Sequence, residues 1–115
     1  MKMAKARQML KSLADDTRLR IVNLLRKEEL SVTEICEILD VQQSNLSKHL
    51  SRLSLTGLVK DKREGSNVYY SIVTPKEKPH RGLLDAITTG LADDEVLKQD
   101  TEKMEQVINN RSEVE

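Results

Sequence analysis

The sequence predicts a mainly α-helical fold with one small β-hairpin, and three observations lead there. Apolar residues recur every three or four positions over most of the 115 residues. Between residues 58 and 73 that period gives way to strand-like stretches around the turn-forming Glu64-Gly65-Ser66-Asn67. The chain has no Phe and no Trp, and its only aromatics are Tyr69 and Tyr70. A core must therefore come from Leu, Ile, Val, Met and Ala, and it is thin for a monomer of this size. Pairing with a second copy is the expected remedy.

The elements follow in order. Residues 3–13 set Met3, Ala6, Met9, Leu10 and Leu13 at helical spacing, as core or dimer packing. Asp15 or Asp16 can cap the next helix, which carries Leu19, Ile21, Val22, Leu24 and Leu25. Ser31-Val32-Thr33-Glu34 reads as a capping box opening a short helix with Ile35, Ile38 and Leu39 on one face. Asp40-Val41 makes a tight break. A third periodic segment, about 42–56, buries Leu46, Leu50 and Leu53, with Leu55 a further candidate, and Gly57 ends it in a left-handed conformation.

Beyond the hairpin, Pro75 and Pro79 bound a stiff connector. Leu83, Leu84, Ile87 and Leu91 predict another helix. Val96, Leu97, Met104, Val107 and Ile108 predict a last one around Asp93–Asn109, and whether the two form one bent helix stays open. The tail Arg111-Ser112-Glu113-Val114-Glu115 is expected to fray. The chain reads as one domain, 1–115, whose N-terminal (about 2–13) and C-terminal (about 76–109) helices contribute to dimerisation. The apolar rows in 3–13 and 83–108 exceed what a thin monomer core needs.

Composition narrows the setting. The charged N-terminus lacks the apolar stretch of a secretion signal, and no apolar run is long enough for a membrane span. Cys36 is the only cysteine, so no internal disulfide can form, and a cytoplasmic location is expected. Two His and one Cys are a poor stock for a structural zinc site. No nucleophile–base–orienter pattern and no glycine-rich phosphate loop is present, which argues against an enzyme, and no cofactor or metal is assigned.

Net charge is zero, but its distribution is uneven. Residues 1–27 carry eight Lys/Arg against two acids, and residues 41–70 carry five against two. Residues 28–40 hold five acids and no base, and residues 91–115 hold eight acids and three bases. Local charge governs attraction to phosphates, although such runs also serve as ordinary solvated faces.

Two short helices joined by a tight turn and followed by a charged hairpin form a winged helix-turn-helix. The second helix is the candidate reader of a DNA major groove. The positions expected to be exposed on it are Gln42, Gln43, Ser44, Asn45, Ser47, Lys48, His49, Ser51 and Arg52, almost all polar. Uncharged donors and acceptors at its start suit base edges, and basic residues further along suit phosphates. An exposed helix rich in Ser, Gln and Asn is otherwise a poor choice, because Glu or Lys serve solubility better. The hairpin adds Lys60, Lys62 and Arg63 on one arm and Ser66 and Asn67 at its tip, for backbone or minor-groove contact. Asp61 and Glu64 dilute that charge, as in a plain solvated turn.

The stretches LADDTRLRIVNLL and ELSVTEICEILDVQQSNLSKHLSRLSLTGLVKDKREGSNVYYSIV resemble the ArsR/SmtB family of winged-helix repressors over roughly residues 10–73. That resemblance implies a homodimer joined through its first and late helices, binding double-stranded DNA of two-fold character, with repression relieved by an effector. It puts Ser47, Lys48 and His49 on the reading helix and Arg63 through Asn67 in the wing. The family commonly has Ser at the cap position where this chain has Gln42, a weak cap. A familiar metal site of the family uses two Cys where this chain has Ser31 and Thr33, and hydroxyls do not hold soft metals as thiolates do. A second site uses acids and His on the last helix, for which this chain offers His80, Asp85, Asp93, Asp94 and Glu95. A surface His near a helix start and an acidic cap at Asp93 or Asp94 account for these residues more simply. Cys36 reads as a small buried hydrophobe, with a thiol switch or a metal ligand completed by the other subunit as the alternatives. A winged-helix protein-interaction module that does not read DNA is the rival function.

Overall fold

Capping chemistry punctuates the chain. In the computed structural model, which describes the backbone of residues 1–114 and side chains through Arg111, helix α1 spans Met3–Leu13 and α2 spans Asp16–Leu25. Asp15 is the cap of α2, its Oδ2 accepting from the Arg18 N–H at 3.0 Å. Strand β1, Leu30–Ser31, leads into α3, Val32–Leu39. There Ser31 Oγ accepts from the Glu34 N–H at 3.1 Å and Glu34 Oε1 accepts from the Ser31 N–H at 2.9 Å, the reciprocal capping box that the sequence predicts. Asp40 takes a left-handed conformation, φ 55°, and breaks α3 from α4, Gln43–Leu55. Gly57 sits at φ +75°, a conformation glycine adopts without steric cost, and turns the chain into the hairpin of β2, Val59–Glu64, and β3, Asn67–Ile72. Helices α5, Lys78–Gly90, and α6, Glu95–Val114, complete the chain.

Several particulars differ from the sequence expectation. Strand β1 was not foreseen: Leu30 and Ser31 pair antiparallel with Tyr70 and Tyr69, so the sheet has three strands in the order β1-β3-β2. Two residues are too few to show a period. Pro79 does not bound the connector but lies in the first turn of α5, where its missing N–H is no loss. Helices α5 and α6 are separate, and Asp94 Oδ1 accepts from the Leu97 N–H at 3.0 Å at the start of α6. Helix α6 also runs past the expected end at Asn109. Arg111, assigned to a fraying tail, is helical and donates to the Glu29 carbonyl at 3.0 Å and to Glu34 Oε1 at 2.6 Å. The rest of that tail's side chains, and all of Glu115, lie outside the described residues.

The core is aliphatic. Ile21, Leu24, Leu30, Ile35, Leu46, Leu50, Leu53 and Leu58 are all fully buried. Leu84, Met104 and Val107 join the same cluster, so the C-terminal apolar row is largely used within the protomer. The surplus lies instead on α1, where Met3 is 81% and Leu10 49% exposed. Leu55 is 85% exposed, because two residues beyond Leu53 a helix has turned most of the way to its opposite face. Among the described residues no helix is long and apolar enough to cross a membrane.

Long-range ion pairs hold α6 in place. Asp100, buried at 4% exposure, accepts from Arg20 Nε at 2.8 Å and Nη2 at 2.9 Å, tying α6 to α2. The hydrogen bond to Asp100 raises the Arg20 pKa against the opposing effect of burial. Arg111 binds Glu34 on α3; burial pushes the Glu34 carboxyl up, but hydrogen bonds from Arg111 and the Ser31 N–H outweigh it and hold it below the usual carboxylate range.

The two kinds of pair differ in energy. Replacing Asp100 by Ala strands a bonded guanidinium and costs about 2 kcal/mol, below the full penalty of a broken buried pair because Arg20 keeps some solvent. Asp85→Ala, which removes the exposed Arg26–Asp85 pair, costs less than about 1 kcal/mol. Urea unfolding of the two variants measures the difference, and equal losses contradict this ranking.

Candidate nucleic-acid interface

Helix α4 is set by its apolar stripe. Leu46, Leu50 and Leu53 recur at spacings of four and three and are buried, with Leu46 and Leu53 at 0% and Leu50 at 1% exposure. That rotation leaves Gln42, Gln43, Ser44, Asn45, Ser47, Lys48, Ser51 and Arg52 exposed. Gln42 stands at the cap position with extended dihedrals and makes no side-chain cap hydrogen bond, consistent with the weak cap expected of it. The first-turn N–H groups of α4 are therefore left without a side-chain acceptor at Gln42.

His49 is the exception on this face. The expectation of an exposed reading residue is corrected: its side chain is only 17% exposed and turns toward the start of α2. Its Nδ1 lies 3.2 Å from Arg18 Nη1 and 3.6 Å from Asp15 Oδ2. A guanidinium can only donate, so in the 3.2 Å hydrogen bond Nδ1 is the acceptor. Arg18 also donates through Nε to the Ser12 carbonyl and through Nη2 to the Lys11 carbonyl at 3.4 Å. One side chain thus caps the end of α1 and steadies α4 from α2. Sequence reasoning gave Arg18 no role. One signal was present: a cation in the first turn of a helix opposes the helix dipole and needs a reason to be there.

The wing projects beside this helix. Glu64 pairs with Asn67 across the two-residue turn Gly65-Ser66, and Gly65 at φ +62° meets the positive dihedral that such hairpin turns demand. Lys60, Lys62, Arg63, Ser66 and Asn67 are all exposed. Along β2, Lys60, Lys62 and Glu64 share one face, while Asp61 and Arg63 share the other. Lys62 is engaged: its Nζ is 3.0 Å from Glu64 and 3.7 Å from Glu29, and the hydrogen bond to Glu64 leads in raising its pKa. Arg63 lies opposite Val68 in the ladder.

Ser31 is occupied as a helix cap and Thr33 is exposed beside it. Cys36 is half-buried, and burial pushes its thiol up, away from the reactive thiolate. His80 is not the surface residue expected of it but is buried at 8% exposure. Asp85 pairs with Arg26 and Asp94 caps α6. Among the described residues of one protomer, no group of three or more His, Cys, Asp and Glu side chains is close enough to hold a metal ion.

Comparison with known proteins agrees with this arrangement. The family profile for bacterial regulatory proteins of the arsR family matches residues 15–61, from the cap of α2 into β2. The transcriptional activator HlyU of Vibrio cholerae is 40% identical over 81 residues, 70% of this chain and 75% of that protein. Its solved structure superposes with a TM-score of 0.65 at 37% identity, covering 76% of this chain and 97% of that one. The arsenical resistance operon repressor of Escherichia coli is 36% identical over 104 residues, 90% of this chain and 81% of that protein. A homodimeric winged helix-turn-helix DNA-binding domain from Mycobacterium bovis superposes with a TM-score of 0.65 at 29% identity, covering 80% of this chain and 82% of that one. With a buried stripe that turns a polar helix outward, a charged wing beside it and these relatives, the chain belongs to the ArsR/SmtB family of winged helix-turn-helix DNA-binding transcriptional regulators.

Proposed function

We propose that the protein is a cytoplasmic homodimeric repressor that inserts α4 into the major groove of a two-fold operator, touches the backbone or minor groove with its wing, and is released by an effector. The observation that carries this reading is the outward face of α4, polar from Gln42 to Arg52 and interrupted only by the inward stripe and His49. Gln43, Ser44 and Asn45 stand at the tip that enters a groove first, and the first-turn N–H groups favour a phosphate. Ser47, Lys48 and Arg52 lie further along, where the backbone passes. His49 is a positioning residue in this reading, not a contact. Arg63, Ser66 and Asn67 serve the wing; Lys62 must exchange Glu64 for a phosphate to do so.

The dimer reading is supported by α1, whose Met3, Ala6 and Leu10, with Ala14 just beyond its end, line one shallow apolar surface turned away from the protomer's own core. The Mycobacterium bovis relative is described as homodimeric. Two reading helices in such a dimer reach successive major-groove faces about 34–36 Å apart. Repression is the action of the Escherichia coli relative, whereas the Vibrio cholerae relative is an activator.

Substitutions separate the two classes of contact. Lys48→Ala or Arg63→Ala weakens binding to all duplexes alike and lowers the salt slope by about 1 per lost phosphate contact. Gln43→Ala or Asn45→Ala costs about 1–3 kcal/mol on the operator and relaxes sequence preference. Fluorescence anisotropy at two salt concentrations reads both effects, and intact binding in all four variants rejects this surface.

Leu10→Glu is expected to turn the dimer into a monomer, because it buries a charge against its own symmetry mate. Sedimentation equilibrium at micromolar concentration checks this. A variant that stays dimeric moves the interface elsewhere, and a wild-type monomer removes it.

A further inference from the structure

A groove of about 780 Å³ lies between the first turns of α1, the end of α4 and the start of α5. Lys2, Lys5, Met9, Leu55, Glu77 and His80 are among its lining residues. His80 is 8% exposed, and among the described residues its Nε2 has no hydrogen-bond partner. Buried polar atoms without partners are few in native proteins, so this one beside a groove calls for an account. Burial, helped by the Lys5 charge, pushes the imidazole pKa down and favours the neutral ring. Leu55 stands on the same groove at 85% exposure, although the inward stripe of α4 does not include it.

The lining defines a ligand class. Among the lining groups the Met1 amino group, Lys2 and Lys5 outnumber Glu77, which suits an anion. Met9 and Leu55 offer apolar surface to the body of the ligand, and the volume is within the usual range for small-molecule sites. The groove also touches the reading helix. Thr56, which follows α4, lines it and shares a 2.9 Å hydrogen bond with the fully buried Ser12 on α1.

We propose that this groove binds a small organic anion with an apolar body, and that its occupancy is felt by α4 through Leu55 and Thr56. The second half rests on the DNA-binding reading above; the first half stands without it.

The test uses the full chain and 8-anilinonaphthalene-1-sulfonate, an amphiphilic monoanion whose fluorescence rises on binding. One saturable site per chain is expected. Lys5→Glu and Leu55→Asn each raise its Kd about tenfold, from the lost charge attraction and the lost apolar contact. Both side chains are exposed, so unchanged unfolding midpoints show that the fold is kept. The His80 ring resonances shift on titration in the wild type. Non-saturating fluorescence, a Kd unmoved by both substitutions, or unmoved His80 resonances overturn the site. Saturating probe is expected to weaken operator affinity at least about fivefold in the wild type and much less in Leu55→Asn. Unchanged operator affinity with an intact site overturns the link to α4. Absence of any DNA binding removes that link together with the DNA reading, while the titration still decides the groove.

Discussion

Burial of Leu46, Leu50 and Leu53 sets the rotation of α4 about its own axis, and the outward chemistry of the molecule depends on that setting. The three leucines pack into a core with no Phe or Trp, where Ile21, Leu24, Ile35 and Leu58 provide the neighbouring surface. A helix rotated by a third of a turn would bury Gln, Ser or Lys side chains and lose several kcal/mol of apolar burial. Each core leucine therefore also acts as an orientation device for a polar residue on the far side. The left-handed Asp40 before α4 and the left-handed Gly57 after it let the chain enter and leave at angles that a continuous helix forbids.

A second layer of interactions holds this unit to the rest of the protein. Arg18 binds the last carbonyls of α1 and the ring of His49, so α1, α2 and α4 meet at one guanidinium. Arg20 and Asp100 fasten α6 across α2, and Arg111 fastens the far end of α6 to the capping box of α3. The same Glu34 that caps α3 locally is thus also the long-range anchor of the C-terminal helix. Charge is used sparingly in this frame: the pair with a buried member carries stability, and the exposed pairs add little.

What the sequence revealed and what it concealed divide along the reach of the interactions. Ser31 and Glu34, Asp15, Gly57 and the Gly65-Ser66 turn are local signals, each decided within four residues, and the structure has them where the pattern puts them. The helical periods likewise gave the order of elements and the inward stripe of α4. Contacts between distant residues left no such trace. Arg18 and His49 are separated by 31 positions and Arg20 and Asp100 by 80, and no periodicity reports on either. His49 looked outward because its neighbours in sequence are polar, whereas its place is decided by α2. Leu55 looked inward because it is a leucine, whereas the helical angle carries it out. His80 looked like a surface residue beside a proline, yet α5 carries it into the protein.

The proposed function joins these levels: aliphatic packing orients α4 so that its outward polar residues can meet base edges and its basic residues phosphates, while α1 would pair two such readers. Its central claim is selective recognition of DNA, and the most direct test is the equilibrium affinity of the reduced, metal-free protein for duplex DNA from upstream of its own gene, set against a scrambled duplex of equal length at two salt concentrations. The account predicts tight binding to the first duplex that persists at the higher salt and much weaker binding to the second. Equal, weak and steeply salt-dependent binding to both duplexes, or no binding to either at low salt, contradicts it.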